Sequence, residues 1–183
     1  KQQEKQQDAH QLVVNGTYKD ISVRSSEWKD NKILMDYIHS KPFVEYFERA
    51  AINDLKKLTN TLINYIDTEL SLSEIKTIEK DKFIKKIESV QETCGHNELI
   101  DVKKVNKYFT LCKAKVLSYD TINIPVGICH GDLTFSNMLF TDSGMYLIDF
   151  LDSFVETPLQ DIVKIRQDSK YEWSTMMTDQ KYN

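Results

Sequence analysis

The sequence predicts an α+β fold that is mainly helical, with a small β-hairpin late in the chain. From Glu27 to about Tyr119, apolar residues recur every three or four positions, which is the spacing of amphipathic helices. After Asp120 the apolar residues instead form short β-like runs. The chain has 183 residues, of which 40% are hydrophobic and 28% charged, so it can bury one sizeable core as a soluble globular protein.

Charge and cysteine content disfavour several classes of protein. A net charge of -4 argues against nucleic acid or a membrane surface as a partner, because both attract basic faces. No apolar run approaches the roughly 20 residues that cross a bilayer, and no apolar stretch of a signal peptide follows residues 1–7. Cys94, Cys112 and Cys129 are far apart and odd in number. We therefore expect reduced thiols in a cytoplasmic protein rather than disulfides or a zinc site.

The beginning of the chain carries only weak signals. Residues 1–8 are rich in Gln and Lys, which is typical of a mobile end or a linker. Asn15-Gly16 lies between β-forming residues and predicts a short hairpin within residues 11–24. We expect residues 1–26 to be an N-terminal extension, or the remnant of a linker or of a preceding lobe. Residues 27–183 are then the main domain.

Four helices are predicted in the middle of the chain. They are expected over residues 28–39, 43–66, 71–95 and 101–116. Ser71 and Glu74 have the spacing of a capping box at the start of the third helix, which can break near Asp81 and stop at Gly95. Asp101 is suited to cap the fourth helix. The apolar stripes of these helices are interpreted as core.

The segment after the helices carries the chemistry-bearing residues in a defined order. His130-Gly131-Asp132 is followed, after four residues, by Asn137. Two β-like runs, 138–140 and 145–150, are joined by a Thr-Asp-Ser-Gly turn and form the predicted hairpin, which delivers Asp149. Pro158 then precedes a predicted helix that runs to Asp168.

These residues meet the requirements of phosphoryl transfer from a nucleotide. Mg²⁺ must neutralise the phosphates and prefers hard oxygen ligands, and a further carboxylate must orient the acceptor hydroxyl and take its proton. Asp132 is the candidate base, and Asn137 and Asp149 are the candidate Mg²⁺ ligands. A carboxylate at the end of a buried strand is costly unless it meets a cation, which is our reason to expect the metal at Asp149. In the alternative interpretation, these side chains only cap turns and end a strand.

Residues 128–165 resemble the aminoglycoside phosphotransferase and choline kinase superfamily, whose fold is protein-kinase-like. That family has His-Gly-Asp or His-Asn-Asp in its catalytic loop where protein kinases have His-Arg-Asp, so Gly131 matches the small-molecule variant. The resemblance implies that His130 braces the loop, and that Asp161, within Pro-Leu-Gln-Asp-Ile, supports it by hydrogen bonding. Asp152 is a further candidate for contact with substrate or with the outer shell of the metal.

The resemblance implies that the main domain is a kinase-like C-terminal lobe with the hairpin at its catalytic cleft. The family's N-terminal β lobe, with its phosphate-covering loop and Lys–Glu pair, is expected to be absent. The sequence has only five glycines, none in a glycine-rich loop, and no Lys in a strand pattern suited to the phosphates. We therefore expect this chain alone to be a poor catalyst.

The implied function is transfer of the γ-phosphoryl group of ATP or GTP to a hydroxyl of a small molecule, such as an amino sugar, a sugar, homoserine or choline. A cationic acceptor would favour acidic or aromatic side chains after the metal strand; the candidates are Asp152, Glu156, Tyr171, Glu172 and Trp173. The alternative function is a pseudokinase or interaction module without turnover. The missing lobe favours that alternative, and the presence of a base with both metal ligands opposes it. A protein kinase is a weaker third interpretation, because Gly131 and Phe150-Leu151 depart from its motifs.

Overall fold

Helices and short strands alternate along the chain, which confirms the predicted α+β class and its mainly helical content. The computed structural model describes residues 1–142 and 144–177. The helices are α1 (Gln2–Val14), α2 (Phe43–Arg49), α3 (Ile52–Ser71), α4 (Lys80–Gly95), α5 (Val102–Leu117), α6 (Pro158–Tyr171) and α7 (Trp173–Met176). The strands are β1 (Ile21–Val23), β2 (Ser26–Lys29), β3 (Lys32–Met35), β4 (Glu74–Thr77), β5 (Asn123–Val126), β6 (Met138–Thr141) and β7 (Gly144–Leu147). Across this described part of the chain, no helix is both long and apolar enough to cross a membrane.

The described chain divides into two compact units. One unit comprises residues 1–73 together with the segment from Val126 onward, and the other comprises residues 74–125. All six candidate site residues of the sequence analysis lie in the first unit. The predicted boundary between an extension at 1–26 and a domain at 27–183 stays a prediction.

A three-stranded sheet forms one wall of the core of the first unit. Its strand order is β1-β7-β6, with β7 parallel to β1 and antiparallel to β6. The β6–β7 hairpin is the one that the sequence predicts, and Met138 lies opposite Leu147 in its register. Every second side chain of the hairpin is buried, as the alternation of a strand requires: Met138 and Phe140 on β6, and Met145 and Leu147 on β7. These side chains join Tyr65, Phe150 and residues of α3 in one hydrophobic cluster.

The N-terminal segment is helical up to Val14, so the hairpin predicted within residues 11–24 is wrong. Helix α1 contains five Gln together with Glu4, Lys5, Ala9 and Leu12, all of which are good helix formers. Gln6 and Ala9 are buried, which ties the helix to the unit. Asn15-Gly16 ends this helix instead of turning a hairpin: Gly16 has φ +79°, and the Asn15 side chain accepts a hydrogen bond from the Thr17 amide.

The helix predicted over residues 28–39 is also wrong, because residues 28–35 lie in the β2–β3 hairpin and residues 36–39 have no regular structure. Ser26 lies opposite Met35 and Lys29 opposite Lys32. Asp30 and Asn31 connect the strands with φ of 50° and 57°. Asp and Asn tolerate positive φ better than other non-glycine residues, and two such residues in succession suit a two-residue hairpin turn.

The long helix predicted over residues 43–66 is two helices. Ala50 and Ala51 have extended ψ angles of 129° and 158°, and α3 begins directly after them. The Asp54 carboxylate accepts a hydrogen bond from the Ala51 amide at 3.0 Å and so caps the new helix. The apolar periodicity continues across this break, which is why it predicts one helix.

The second unit contains the strands β4 and β5 and the helices α4 and α5. The capping box predicted at Ser71 and Glu74 is wrong, because Ser71 ends α3 and Glu74 begins β4. Helix α4 starts close to the predicted break and ends at Gly95 as expected. The predicted cap of α5 is confirmed, since Asp101 accepts a hydrogen bond from the Lys104 amide at 3.2 Å.

Replacing Leu147 by alanine should destabilise the first unit strongly. Leu147 is fully buried in the central strand of the sheet. Its truncation leaves a cavity, which should lower the free energy of unfolding by about 2–5 kcal/mol. The matched control is Leu34→Ala, whose side chain is 44% exposed and which should change that free energy by about 0.5 kcal/mol. Denaturant unfolding measures both, and equal losses would contradict the described core.

Candidate active site

The segment His130–Asn137 has little regular structure, yet its backbone is held by specific contacts. Gly131 has φ +88°, and a Cβ at this position would collide with the Leu151 carbonyl oxygen. A side chain is therefore excluded at Gly131 on two independent grounds, steric and conformational. The arginine that protein kinases carry between the His and the Asp would not fit in this loop.

The first helical turn of α6 supplies the main support of the loop. Asp161 is fully buried, and its two carboxylate oxygens accept hydrogen bonds from the backbone amides of His130 at 2.5 Å and Gly131 at 2.8 Å. Pro158 occupies the first turn of α6 and Thr157 caps it, which fixes the direction in which Asp161 leaves the helix. The structure thus places Asp161 beneath the loop, where the family resemblance implies it to lie.

A second carboxylate of α6 holds the far end of the loop and was missed by the sequence reasoning. Asp168 is buried, and its Oδ2 accepts a hydrogen bond from the Phe135 amide at 2.5 Å. The Ser174 amide and hydroxyl also donate to this carboxylate. Asp161 and Asp168 are seven residues apart, so they lie on one face of the helix, and this spacing is the signal that could have found Asp168.

His130 connects the loop to the segment after β7. Its ring Nε2 lies 2.8 Å from the Ile148 carbonyl oxygen, and its Nδ1 accepts a hydrogen bond from the Asp132 amide at 3.2 Å. These partners require a neutral ring with the proton on Nε2. The ring stacks on Phe150 at 4.3 Å between centroids. Burial lowers the pKa of His130 to about 4, so the ring stays neutral at physiological pH.

Both carboxylate oxygens of Asp132 have a partner. The Asn137 side-chain amide donates to Oδ2 at 3.0 Å and to the Asp132 carbonyl oxygen at 2.8 Å. On the other oxygen, the Lys164 ammonium lies 2.8 Å from Oδ1. Lys164 is on α6, three residues after Asp161, and no motif in the sequence indicates it. The structure therefore brings Asp132 and Asn137 together and adds a cation beside them.

Asp149 lies next to Asn137 but differs from the sequence-based expectation. It is exposed rather than buried at a strand end, because β7 already ends at Leu147. The burial argument for a metal at this position is therefore wrong. The Ile148 amide donates to the Asn137 carbonyl oxygen at 3.2 Å, which places Asp149 beside Asn137 along the chain path. Asp149 has φ +65°, a left-handed conformation that costs a non-glycine residue about 1 kcal/mol or more.

Helix α1 reaches the same region, which sequence reasoning did not anticipate. The Gln2 side-chain amide donates to the Asp149 carboxylate at 2.5 Å. Lys5 is largely buried, and its ammonium lies 2.5 Å from the Glu156 carboxylate and 2.6 Å from the Leu151 carbonyl oxygen. The helix thus contacts one candidate metal ligand and fixes the loop that follows β7.

The residues that are candidates for contact with the acceptor have different partners and exposures. Asp152 is exposed, with its carboxylate 3.7 Å from the Lys1 ammonium. Glu156 pairs with Lys5 and also accepts a hydrogen bond from the Ser153 amide. Trp173 is 42% exposed. The contacts of these residues indicate no particular acceptor.

The oxygen donors present fit a Mg²⁺ ion that arrives with a nucleotide. Over residues 1–142 and 144–177, no group of three or more His, Cys, Asp or Glu side chains is placed to hold a metal. Mg²⁺ usually takes only one or two carboxylates from a protein and completes its shell with phosphate and water. Because the Asn137 amide nitrogen faces Asp132, its amide oxygen is the atom that remains for a metal, together with the exposed Asp149 carboxylate.

Comparison with known proteins agrees with this arrangement. Residues 42–180 match the phosphotransferase enzyme family, which is more than half of the chain. The chain belongs to this family. No curated protein and no solved structure gives a significant match. Membership of the phosphotransferase family confirms the resemblance to the aminoglycoside phosphotransferase and choline kinase superfamily, and it implies a phosphotransferase that acts on small molecules. Helix α1 and the β2–β3 hairpin lie before the matched range.

Acidification should destabilise this phosphotransferase in part through His130. Below about pH 6.5 the unfolded chain binds a proton at this residue, whereas the folded chain resists protonation until about pH 4. The unfolded state therefore binds more protons in this window, and falling pH favours unfolding by up to about 3 kcal/mol.

The measurement is the free energy of unfolding between pH 7 and pH 4 for the unmodified chain and for His130→Gln, which keeps a polar side chain but does not titrate. The stability advantage of the unmodified chain should shrink as the pH falls. The control His96→Gln replaces an exposed imidazole and should leave the pH dependence unchanged. Parallel curves for the unmodified chain and His130→Gln would show that His130 is not the titrating group.

Proposed function

We propose that this chain transfers the γ-phosphoryl group of ATP or GTP to a hydroxyl of a small molecule. The observation that carries the proposal is the hydrogen bond between Asn137 and Asp132 within a loop whose backbone also places Asp149 alongside. In the proposal, Asp132 is the base and Asn137 and Asp149 are the oxygen ligands, at the end of the β6–β7 hairpin where Met138 pairs with Leu147. Membership of the phosphotransferase family supports the same reaction class.

Asp132 is the group that would act on the acceptor. Its carboxylate is 24% exposed, so a hydroxyl can reach it, and each carboxylate oxygen retains a free lone pair after one hydrogen bond. In the reaction it accepts a hydrogen bond from the acceptor hydroxyl, orients the oxygen toward the phosphorus atom and takes its proton. Lys164 and Asn137 restrict its rotation, which lowers the entropic cost of reaching this alignment.

The remaining residues hold the phosphates and the loop. Asn137 and Asp149 would hold Mg²⁺, which neutralises charge on the nucleotide phosphates when bound. His130 and Asp161 keep the loop backbone in place through the contacts described above. Lys164 lies beside Asp132, where its charge stabilises the negative charge that phosphoryl transfer brings to this end of the cleft.

The acceptor is proposed only as a class: an amino sugar, a sugar or a choline-like alcohol. Asp152 is the proposed substrate or outer-shell contact, since it is exposed and lies three residues after Asp149. Neither nucleic acid nor a membrane is a proposed partner, and a cytoplasmic location is part of the proposal. All three cysteines are free thiols in the structure.

One observation favours the second candidate function, an interaction module without turnover. The Gln2 amide donates to one oxygen of the Asp149 carboxylate, so it competes there with a metal. A chain in which α1 keeps that position retains the fold and the family motif but binds Mg²⁺-nucleotide more weakly. The expectation that this chain alone is a poor catalyst is part of the proposal.

Replacing Asp132 by Asn should abolish transfer while leaving nucleotide binding intact. The amide keeps the size of the carboxylate but cannot take a proton, so the rate constant should fall by about 10²–10⁴-fold. The assay follows ATP or GTP consumption with a panel of amino sugars, sugars and choline. Asp142→Asn, in the hairpin turn and 92% exposed, is the matched control and should keep full activity. Equal rates for both variants would remove Asp132 from the mechanism.

Replacing Asp149 by Asn should weaken Mg²⁺-dependent nucleotide binding by at least about tenfold, because the metal loses its charged ligand. Calorimetric titration of Mg²⁺-ATP and Mg²⁺-GTP measures this. Gln2→Ala is the informative partner variant: it frees the Asp149 carboxylate and should tighten binding. If no variant binds nucleotide and none transfers phosphate, the interaction module becomes the better description.

A further inference from the structure

A cluster of buried polar side chains lies beneath the catalytic loop and is not explained by the proposed reaction. Glu69, on the last turn of α3, is fully buried, and so is Asp161. Tyr65 is 1% exposed and Tyr18 3% exposed, and their rings lie 4.8 Å apart between centroids. The cluster belongs to the first unit, directly behind the amides that Asp161 holds.

Apart from Asp161, the side chains of this cluster have buried polar atoms without a hydrogen-bond donor or acceptor of acceptable geometry. Neither carboxyl oxygen of Glu69 is hydrogen-bonded, and the same holds for the hydroxyls of Tyr18 and Tyr65. An ionised carboxylate buried without a partner is far more costly than a neutral one. The ionised form of Glu69 would therefore need a cation at close range.

The charged and titratable groups around Glu69 offer no such cation. Tyr65 faces it from the same helix, Asp161 from α6, and Tyr18 from the segment between α1 and β1. Lys5 of α1 is the nearby positive charge, but its ammonium is engaged by Glu156, the Leu151 carbonyl oxygen and the Cys129 thiol. The immediate electrostatic neighbour of Glu69 is thus another carboxyl group, that of Asp161.

We propose that Glu69 is a neutral carboxylic acid that shares its proton with Asp161, and that it acts as a positioning residue for the catalytic loop. Two carboxyl groups that share one buried site hold one proton between them, because both cannot be ionised together. The proton lies on Glu69, and Asp161 keeps the charge. A charged acceptor makes stronger hydrogen bonds to the His130 and Gly131 amides than a neutral one.

The electrostatics of the two groups agree with this division. Burial raises the pKa of Glu69 strongly, and the neighbouring Asp161 raises it further. Burial also raises the pKa of Asp161, but the two backbone amides and the Glu69 side chain act in the opposite direction. Asp161 is therefore the more acidic member of the pair, and Glu69 is the proton donor. The consequence for catalysis rests on the proposed function, whereas the protonation state of Glu69 does not.

The first experiment counts the proton taken up at Glu69 on folding. In the unfolded chain Glu69 is ionised above about pH 4.5, so folding at neutral pH requires protonation, and the stability of the unmodified chain falls as the pH rises. Glu69→Gln needs no proton. The ratio of the unfolding constants of the unmodified chain and Glu69→Gln should rise about tenfold per pH unit between pH 5.5 and 8, measured by denaturant titration of the full chain.

The matched control is Glu156→Gln. Burial raises the pKa of Glu156, but hydrogen bonds from Lys5, Ser153 and Cys129 outweigh burial and hold it below its usual value. Glu156 is therefore ionised in the folded and the unfolded chain above pH 5.5. The ratio of the unfolding constants of the unmodified chain and Glu156→Gln should then be independent of pH. A flat ratio for Glu69→Gln as well would overturn the proposal.

The infrared spectrum gives a direct reading of the proton. The folded chain at pH 7 should show the carbonyl stretch of a neutral carboxylic acid, and Glu69→Gln should lose this band. If no band of a neutral acid is present at pH 7, Glu69 is ionised and the proposal is wrong. Neither this measurement nor the unfolding series needs turnover, so failure here is distinct from failure of the proposed phosphoryl transfer.

Amide exchange tests whether the proton on Glu69 positions the loop. The His130 and Gly131 amides should exchange at the unmodified rate in Glu69→Gln, whose amide can still donate to Asp161. In Glu69→Leu, which has no donor, they should exchange at least about tenfold faster at pH 6, where Asp161 is more readily protonated. Equal protection in both variants would refute the positioning role, and if the leucine variant does not fold, unprotected amides in Glu69→Gln would refute it equally.

Discussion

The structure of the candidate site depends on one interaction: the buried Asp161 carboxylate accepts hydrogen bonds from the backbone amides of His130 and Gly131. The loop from His130 to Asn137 has one short 3-10 helix, Phe135–Asn137, as its regular structure, and the amides of His130, Gly131 and Phe135 find their partners outside the segment. Helix α6 provides them with two carboxylates on one face, Asp161 at the start of the loop and Asp168 at Phe135. A single helix therefore sets both ends of the loop, and Asp132 lies between these two supports. Lys164, from the same face, then reaches Asp132 itself.

The opposite side of the site is set by a neutral histidine. His130 bonds to Ile148 through its ring and to the Leu151 amide through its carbonyl oxygen, so it spans the residues on either side of Asp149. These two contacts, with the bond from the Ile148 amide to Asn137, hold Asp149 at its positive φ. A protonated ring could not accept the Asp132 amide at Nδ1. Burial of His130 thus preserves the hydrogen-bond pattern from which the positions of Asp132 and Asp149 both follow.

The sequence points to candidate site residues more readily than to the elements around them, for a physical reason. Asp132, Asn137 and Asp149 are candidates because their residue types and spacing suit one chemistry, and Asp161 is a candidate because of the family resemblance. Lys164, Asp168 and Gln2 were missed because their contacts are tertiary and no short-range pattern encodes them. The helix predicted over residues 28–39 failed because the turn at Asp30-Asn31 outweighed an apolar pattern that suits either structure. The break at Ala50 was missed because apolar periodicity reports the buried face and not the backbone path.

An amide at Asn137 suits both roles that the proposed reaction gives to this loop. Its nitrogen donates to the Asp132 carboxylate at 3.0 Å, and its oxygen is the atom left for a metal. An aspartate would offer the metal a charged ligand, but it would place a second carboxylate against Asp132 without a proton to share. One of the two groups would then become protonated, and either the base or the ligand would be lost. The amide avoids this conflict because it carries a donor and an acceptor on one side chain. The same conflict between two carboxyl groups exists at Glu69 and Asp161, where a proton resolves it instead.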